Sequence, residues 1–215
     1  ARAALSGKQE LVEFLLENGA VEDVFAAAIV GHVDKVRAFL KQDPKSVQAR
    51  DSGGKTALHW AALYGQKKVA ELLLAEKAEV DLQDGVGFAP LHWAVMFDRG
   101  DLVATLLAHK ANRDLKVPKF GWSPLRLAVI HGRVGVAETL LNAGVDPNAP
   151  EADDVPLLHQ AVLSGRGEIA ELLIAKKAAI EARDSEGDTA LDEALEIKNQ
   201  PLIDLLRKHG AKEKK

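Results

Sequence analysis

The sequence predicts an all-α fold built from stacked helix-turn-helix units, and three observations lead to that prediction. Five ten-residue segments superpose without gaps and begin 33, 34, 33 and 33 residues apart, at Thr56, Ala89, Ser123, Pro156 and Thr189. A leucine column keeps the same spacing further along each unit, at Leu73, Leu106, Leu140, Leu173 and Leu206. Within both kinds of segment, apolar residues recur every three or four positions, which indicates short amphipathic helices rather than strands.

A further unit precedes these five, in the segment "VFAAAIVGHVDKVRAFL". Matching Gly31 to Gly65 pairs Ala27 with Ala61, and a register shifted by one residue stays open. The segment "AALSGKQELVEFLLENGA" resembles one more helix pair, but Gly7 lies only 24 residues before Gly31. We therefore expect a truncated N-terminal cap over residues 1–20, followed by six units that start near residues 18, 51, 84, 117, 151 and 184.

The predicted starts and ends of the helices follow from residue types that favour the first or last position of a helix. Hydroxyl side chains suited to N-caps open three units, at Thr56, Ser123 and Thr189. Proline occupies the first helical position, where no amide hydrogen is needed, at Pro90 and Pro124. Glycine separates the two helices of a unit at Gly65, Gly132 and Gly165. The last unit carries many charges and ends in "KEKK", which favours a solvated C-terminal cap.

The 33-residue period, the T-P-L-H-x-A theme and continuations such as "ELLLAEKAEVD" resemble the ankyrin repeat over nearly the whole chain. The resemblance implies one domain over residues 1–215, an ankyrin-repeat solenoid whose helix-turn-helix units are joined by hairpin-like loops beside a concave groove. It also implies that the motif histidines, His59, His92 and His159, bond to neighbouring loops. Trp60 and Trp93 follow two of them on the side that the family buries, so we expect both in the core.

Composition narrows the possible functions. Lys and Arg number 28 against 32 Asp and Glu, so the net charge of -4 gives no overall attraction to nucleic acid or anionic lipid. There is no cysteine, and no apolar stretch approaches the roughly 20 residues that cross a bilayer. No phosphate-binding glycine loop, zinc-type histidine pair or serine elbow occurs. We predict no enzyme, no cofactor, no metal site and no membrane insertion. We expect a soluble monomer, with the cytoplasm the favoured compartment.

The loop tips and exposed first-helix ends, which the resemblance implies as the binding surface, hold a central group of aromatic residues. The repeat does not require large apolar residues at these positions, and exposed clusters of aromatic residues with methionine tend to mark partner-binding surfaces. Packing against adjacent loops is the alternative. The predicted partner-binding residues are Tyr64, Phe88, Met96, Phe97, Lys119, Phe120, Trp122, Ile130 and His131.

The centre of the chain is also locally basic. Between Lys110 and Arg133 the chain carries six basic residues against the single acid Asp114. A protein partner with an acidic and apolar surface would complement this segment, although a solvated loop face is equally compatible with it. A nucleic-acid-binding module and a structural spacer within a longer chain remain the alternative functions.

The stretch "KVPKFGWSPLRLAV" departs most from the repeat. Its loop is one residue longer than most, and Arg126 replaces the motif histidine. An arginine cannot accept a hydrogen bond, so its contacts with the loops must differ from those of the histidines.

Overall fold

The computed structural model describes the backbone of residues 2–213 and the side chains of residues 8–213. Over this range the chain is helical, with thirteen α-helices, one short 3-10 turn at Pro44–Gln48 and no strand. The all-α prediction is confirmed. None of the helices in the described part is both long and apolar enough to span a membrane.

The described chain divides into two compact units, one up to Asn112 and one from Arg113 onward. The first unit contains α1 (Arg2–Glu17), α2 (Val24–Val30), α3 (Val33–Gln42), α4 (Ala57–Tyr64), α5 (Lys67–Ala75), α6 (Pro90–Met96) and α7 (Gly100–Ala108). Helices α2, α4 and α6 pack side by side in one row, and α3, α5 and α7 pack in a second row. Each pair α2–α3, α4–α5 and α6–α7 also packs internally, as a helix-turn-helix unit requires.

The second unit repeats this arrangement. It contains α8 (Pro124–His131), α9 (Val134–Asn142), α10 (Leu157–Leu163), α11 (Gly167–Ala175), α12 (Ala190–Glu196) and α13 (Gln200–Lys208). Helices α8, α10 and α12 form one row, and α9, α11 and α13 form the other. Helices α2 to α13 thus make six helix pairs. The single domain over residues 1–215 and its unit starts remain predictions.

The N-terminal segment differs from the expected helix pair. Helix α1 runs unbroken from Arg2 to Glu17, with Gly7 inside it. A glycine in a helix interior costs about 1 kcal/mol relative to alanine, and the strong helix formers on both sides of Gly7 outweigh that cost. Helix α1 packs against α2 as one long helix.

The repeated alanine and leucine columns form the core of both units. Ala61, Ala94, Ala128, Ala161 and Ala194 are fully buried, as are the five leucines of the second column. A small alanine allows neighbouring helices to approach closely, and each leucine fills the space between the two rows. No pair can bury both faces alone, so each depends on its neighbours for stability.

Two kinds of residue end the helices in the left-handed region. Gly31, Gly65 and Gly132 have φ values of 87°, 83° and 68°. Lys77, Lys110 and Lys177 stand where the repeat usually has glycine, and they adopt φ values of 66°, 64° and 70°. A side chain with a Cβ is strained in this region, so each of these lysines costs stability.

Candidate partner-binding site

Four aromatic side chains of the first unit lie together on α4 and α6. Trp60 and Tyr64 on α4 occupy the same repeat positions as Trp93 and Phe97 on α6, 33 residues later. The rings within each pair are one helical turn apart, with centroids 6.1 Å apart in α4 and 6.0 Å apart in α6. Because the two helices pack side by side, the repeat brings both pairs onto one face.

Hydrogen bonds to the preceding loops fix the two tryptophans. The indole nitrogen of Trp60 donates to Asp51 Oδ2, and that of Trp93 donates to Asp84 Oδ2, each at 2.9 Å. Both rings are half-buried. The prediction that Trp60 and Trp93 belong to the core is therefore wrong. The loop carboxylates hold the polar edge of each indole, and the ring face lines an open cleft.

Lys55 lies between the two indoles. Its Nζ is 5.7 Å from the ring centroid of Trp60 and 4.8 Å from that of Trp93, which places the ammonium over both aromatic faces. The same nitrogen forms an ion pair with Asp84 Oδ2 at 3.1 Å. Burial alone would raise the pKa of Asp84, but hydrogen bonds from Phe88, Lys55 and Trp93 together lower it. Asp84 is thus a charged anchor for the cleft wall.

The four aromatic rings border a cleft of about 550 Å³. Its other walls come from Ile29 of α2, Leu63 of α4 and the side of α1 that carries Leu11 and Val12. Lys8 lies at its rim and is exposed to solvent. The cleft is therefore apolar inside and basic at its edge. The sequence analysis did not predict that Lys55, the two tryptophans and α1 line this cleft. The spacing of Trp60 and Trp93 by one repeat could have indicated that their rings lie side by side.

The structure places the predicted residues of the first unit at different depths. Phe88 and Tyr64 are each only 8% exposed, while Met96 and Phe97 are half-buried. The expectation that Phe88 and Tyr64 are exposed is wrong because neighbouring rings cover them. Phe88 stacks on His92 at 5.7 Å and meets Trp93 edge-on at 5.1 Å, and Tyr64 packs among the other cleft aromatics. Their contact with a partner remains a prediction.

In the second unit, Phe120 and Trp122 stack on each other at the tip of the long loop. Their centroids are 4.8 Å apart, and Lys119 Nζ lies 5.2 Å from the Phe120 ring. Phe120 is 41% exposed and Trp122 is half-buried. Gly121 between them has φ 65°, and a Cβ there would lie 2.1 Å from the Cβ of Ala152, so only glycine fits this turn.

The two remaining predicted residues, Ile130 and His131, end helix α8 and are half-buried. Burial is the largest cause of the lowered pKa of His131, and the nearby charges of Arg133 and Arg166 lower it further. His131 is therefore held in its neutral form over a wider pH range than a free histidine.

Arg126 points inward instead of contributing to a basic surface. It is 3% exposed, and its guanidinium binds both carboxylate oxygens of Asp153 and the side-chain oxygen of Gln160. Lys116 Nζ donates to the Pro150 carbonyl oxygen at 2.6 Å. Arg126 and Lys116, two of the six basic residues predicted for the loop face, thus bind groups within the second unit.

The comparisons with known proteins agree with this architecture. A family model described as "Ankyrin repeats (3 copies)" matches residues 1–84 and 76–151. The chain is 37% identical over 78 residues to Serine/threonine-protein kinase 12 of Arabidopsis thaliana, covering 36% of this chain and 17% of that protein. It is 35% identical over 96 residues to Inversin of Gallus gallus, covering 45% of this chain and 9% of that protein.

The longest of these matches is to the Transient receptor potential cation channel subfamily A member 1 homolog of Caenorhabditis elegans. The identity is 29% over 202 residues, which is 90% of this chain and 14% of that protein. The chain therefore spans less than a fifth of each of the three relatives, from 9% to 17% of their lengths.

Proposed function

The chain belongs to the ankyrin-repeat family, whose repeats generally serve as protein–protein interaction modules, and we propose that it is an interaction scaffold or adaptor without catalytic activity. Its partner is held by the concave groove and loop tips of the central repeats. Function resides in the surface that a repeat array presents, so the proposal depends on specific side chains rather than on the fold.

The aromatic cleft of the first unit carries this proposal. Aromatic side chains in a partly desolvated pocket supply most of the binding energy at protein interfaces. The tryptophans are fixed by hydrogen bonds to the loop carboxylates of Asp51 and Asp84, so little conformational entropy is lost when a partner covers them. A cleft of about 550 Å³ has room for one or two large apolar side chains of a partner segment.

The charges around the two aromatic surfaces indicate the partner's chemistry. Lys8 at the rim of the cleft and Lys119 beside the Phe120 ring are both exposed. An acidic segment with a large apolar anchor complements such a surface, because the charges aid encounter while the anchor fills the cleft. Nucleic-acid binding has weaker support, since Arg126 is buried against Asp153 and cannot reach a phosphate.

A random peptide library displayed on phage and selected on the full chain tests the proposal. Each selected peptide is then measured against three variants, after thermal unfolding shows that all of them are folded. Phe97→Ala opens the cleft, and the double variant Phe120→Ala with Trp122→Ala removes the exposed stack. Ile197→Ala is the matched control, because Ile197 ends α12 as Phe97 ends α6 and is 45% exposed.

The proposal predicts peptides with an apolar residue beside acidic ones, whose binding is weakened by Phe97→Ala and unchanged by Ile197→Ala. Loss of binding only in the Phe120 and Trp122 double variant would move the main site to the long loop. Failure to select any peptide, or equal binding by all variants, would contradict partner binding through these aromatic surfaces.

A further inference from the structure

A separate cluster in the second unit brings together three side chains that can each offer a lone pair to a metal ion. His159 on α10, Asp184 on the following loop and Glu193 on α12 each direct one potential ligand atom to a common point, and these atoms lie within 4.8 Å of one another. The side chain of His159 is 1% exposed and that of Glu193 is 12% exposed. His159 and Glu193 are therefore largely shielded from water, whereas Asp184 is half-buried.

The imidazole of His159 lacks the donors that the motif histidine has elsewhere. In the first unit, Nδ1 of His59 receives the backbone N–H of Thr56 at 3.0 Å and the Thr56 hydroxyl at 2.8 Å. Pro156 stands at the position of Thr56 before His159 and has neither group. Nε2 of His159 is 2.9 Å from the Ala182 carbonyl oxygen, which can only accept, so Nε2 carries the proton. In the neutral ring, Nδ1 is then a lone pair that faces Glu193.

The carboxylates of Asp184 and Glu193 lie at two repeat positions that hold a hydrogen-bond acceptor and a donor in the first unit. Glu193 occupies the repeat position of Trp93, and Asp184 occupies that of Asp84. In the first unit, Asp84 Oδ2 accepts the Trp93 indole N–H at 2.9 Å. Glu193 offers no such donor when it is ionised. Asp184 Oδ1 already accepts the backbone N–H of Asp188 at 2.9 Å.

Within the described residues, Glu193 has one long contact and one carboxylate oxygen without a partner. Glu193 Oε1 lies 3.4 Å from Nδ1 of His159, a long contact that is an ion pair only when Nδ1 carries a proton. Glu193 Oε2 is buried and has no hydrogen-bond partner in the described part of the chain. A buried lone pair and an unpartnered carboxylate oxygen are costly unless a positive centre lies between them. The arrangement thus calls for a cation.

We infer that His159, Asp184 and Glu193 form a binding site for a divalent transition-metal ion of the zinc type. One imidazole nitrogen and two carboxylates are a ligand set that zinc accepts, with water completing the coordination. The imidazole disfavours Mg²⁺ and Ca²⁺, which prefer oxygen ligands. A bound ion would join α10, the loop at Asp184 and α12, so it would stabilise the C-terminal end of the second unit.

The test is zinc binding to the full chain, freed of metal by chelation, and to three variants. Glu193→Gln removes a ligand and supplies an amide N–H to the cluster, so the variant stays folded without metal. Asp184→Asn keeps the Oδ1 that accepts the turn amides and removes the second carboxylate oxygen. Glu168→Gln, on an exposed position of α11, is the control that loses the same charge away from the cluster.

Calorimetric titration should show one zinc ion per chain for the wild type and for Glu168→Gln, with affinity at least tenfold weaker in Glu193→Gln and Asp184→Asn. At a hundredfold excess over Kd, zinc should raise the wild-type Tm by about 5 °C or more, whereas Mg²⁺ should not. No zinc response in the wild type would overturn the inference and leave a shared proton as what satisfies the cluster. An equal response in wild type and Glu193→Gln would place zinc elsewhere and also overturn it.

Discussion

Removing Asp153 should destabilise the protein more than removing Asp153 together with the charge of Arg126. The Arg126 side chain is 4% exposed, and its Nη1 donates to Asp153 Oδ1 at 2.8 Å while Nη2 donates to Oδ2. Gln160 Oε1 accepts a further bond at 2.9 Å. In Asp153→Ala, the buried guanidinium therefore keeps the Gln160 amide oxygen and the Val155 carbonyl oxygen as acceptors but loses its counter-charge.

The expected cost follows from the exposure of each partner. Breaking a fully buried ion pair by removing one charge costs about 3–5 kcal/mol. The Asp153 side chain is 48% exposed, so water can reach the guanidinium in its absence. We expect Asp153→Ala to lower the free energy of unfolding by about 2 kcal/mol. The double variant Arg126→Met with Asp153→Ala has no stranded charge, so it should lose only about 1 kcal/mol from its missing hydrogen bonds.

Urea unfolding at 25 °C, followed by circular dichroism and tryptophan fluorescence, measures both variants against the wild type. Coincident transitions by the two probes are needed before free energies are compared, because repeat arrays can unfold in steps. A double variant that is as unstable as Asp153→Ala, or less stable, would refute the reasoning from a buried guanidinium.

Two further perturbations have expected signs. Lys110→Gly and Lys177→Gly should each raise the free energy of unfolding by about 0.5–1 kcal/mol, because glycine relieves the strain of a positive φ. The control Lys68→Gly, within α5, should lower the free energy of unfolding by about 1 kcal/mol. Urea unfolding measures all three variants, and equal effects would contradict this reasoning. Burial lowers the pKa of His59 to about 4. The unfolded chain, with a pKa near 6.5, therefore takes up this proton first, and stability should fall by about 3 kcal/mol as the pH drops from 6.5 to 4. His59→Asn should flatten that part of the pH profile of urea midpoints, and an unchanged slope would exclude His59 as the cause.

The repeat period made the helix pairs predictable. The alanine and leucine columns face the interior in every unit because stacking requires a small residue and a filling residue at fixed positions. The left-handed lysines were predictable for the same reason, since the repeat fixes where each helix ends. At Gly7 the repeat comparison suggested a break between two helices, but the helix continues through this residue. The residues on both sides of Gly7 favour a helix strongly enough to outweigh the cost of the glycine.

Side-chain depth and cross-repeat contacts were not predictable in the same way. The exposure of Trp60 depends on Asp51, nine residues earlier, and Arg126 finds its partner in Asp153 on the next loop. Phe88 is covered by Trp93, which the sequence placed in the core. Each of these outcomes depends on which neighbour offers a hydrogen bond or a ring face, and a single repeat unit does not contain that information.

The most direct test of the central claim is the affinity of a selected partner peptide for the full chain and for two variants at equivalent repeat positions. Isothermal titration should give a Kd about 30-fold weaker for Phe97→Ala, since truncating an aromatic anchor costs about 2 kcal/mol. Ile197→Ala should leave the Kd within about twofold of the wild type, a change of less than about 0.5 kcal/mol. Equal Kd values for the wild type and both variants would contradict a partner site in the aromatic cleft.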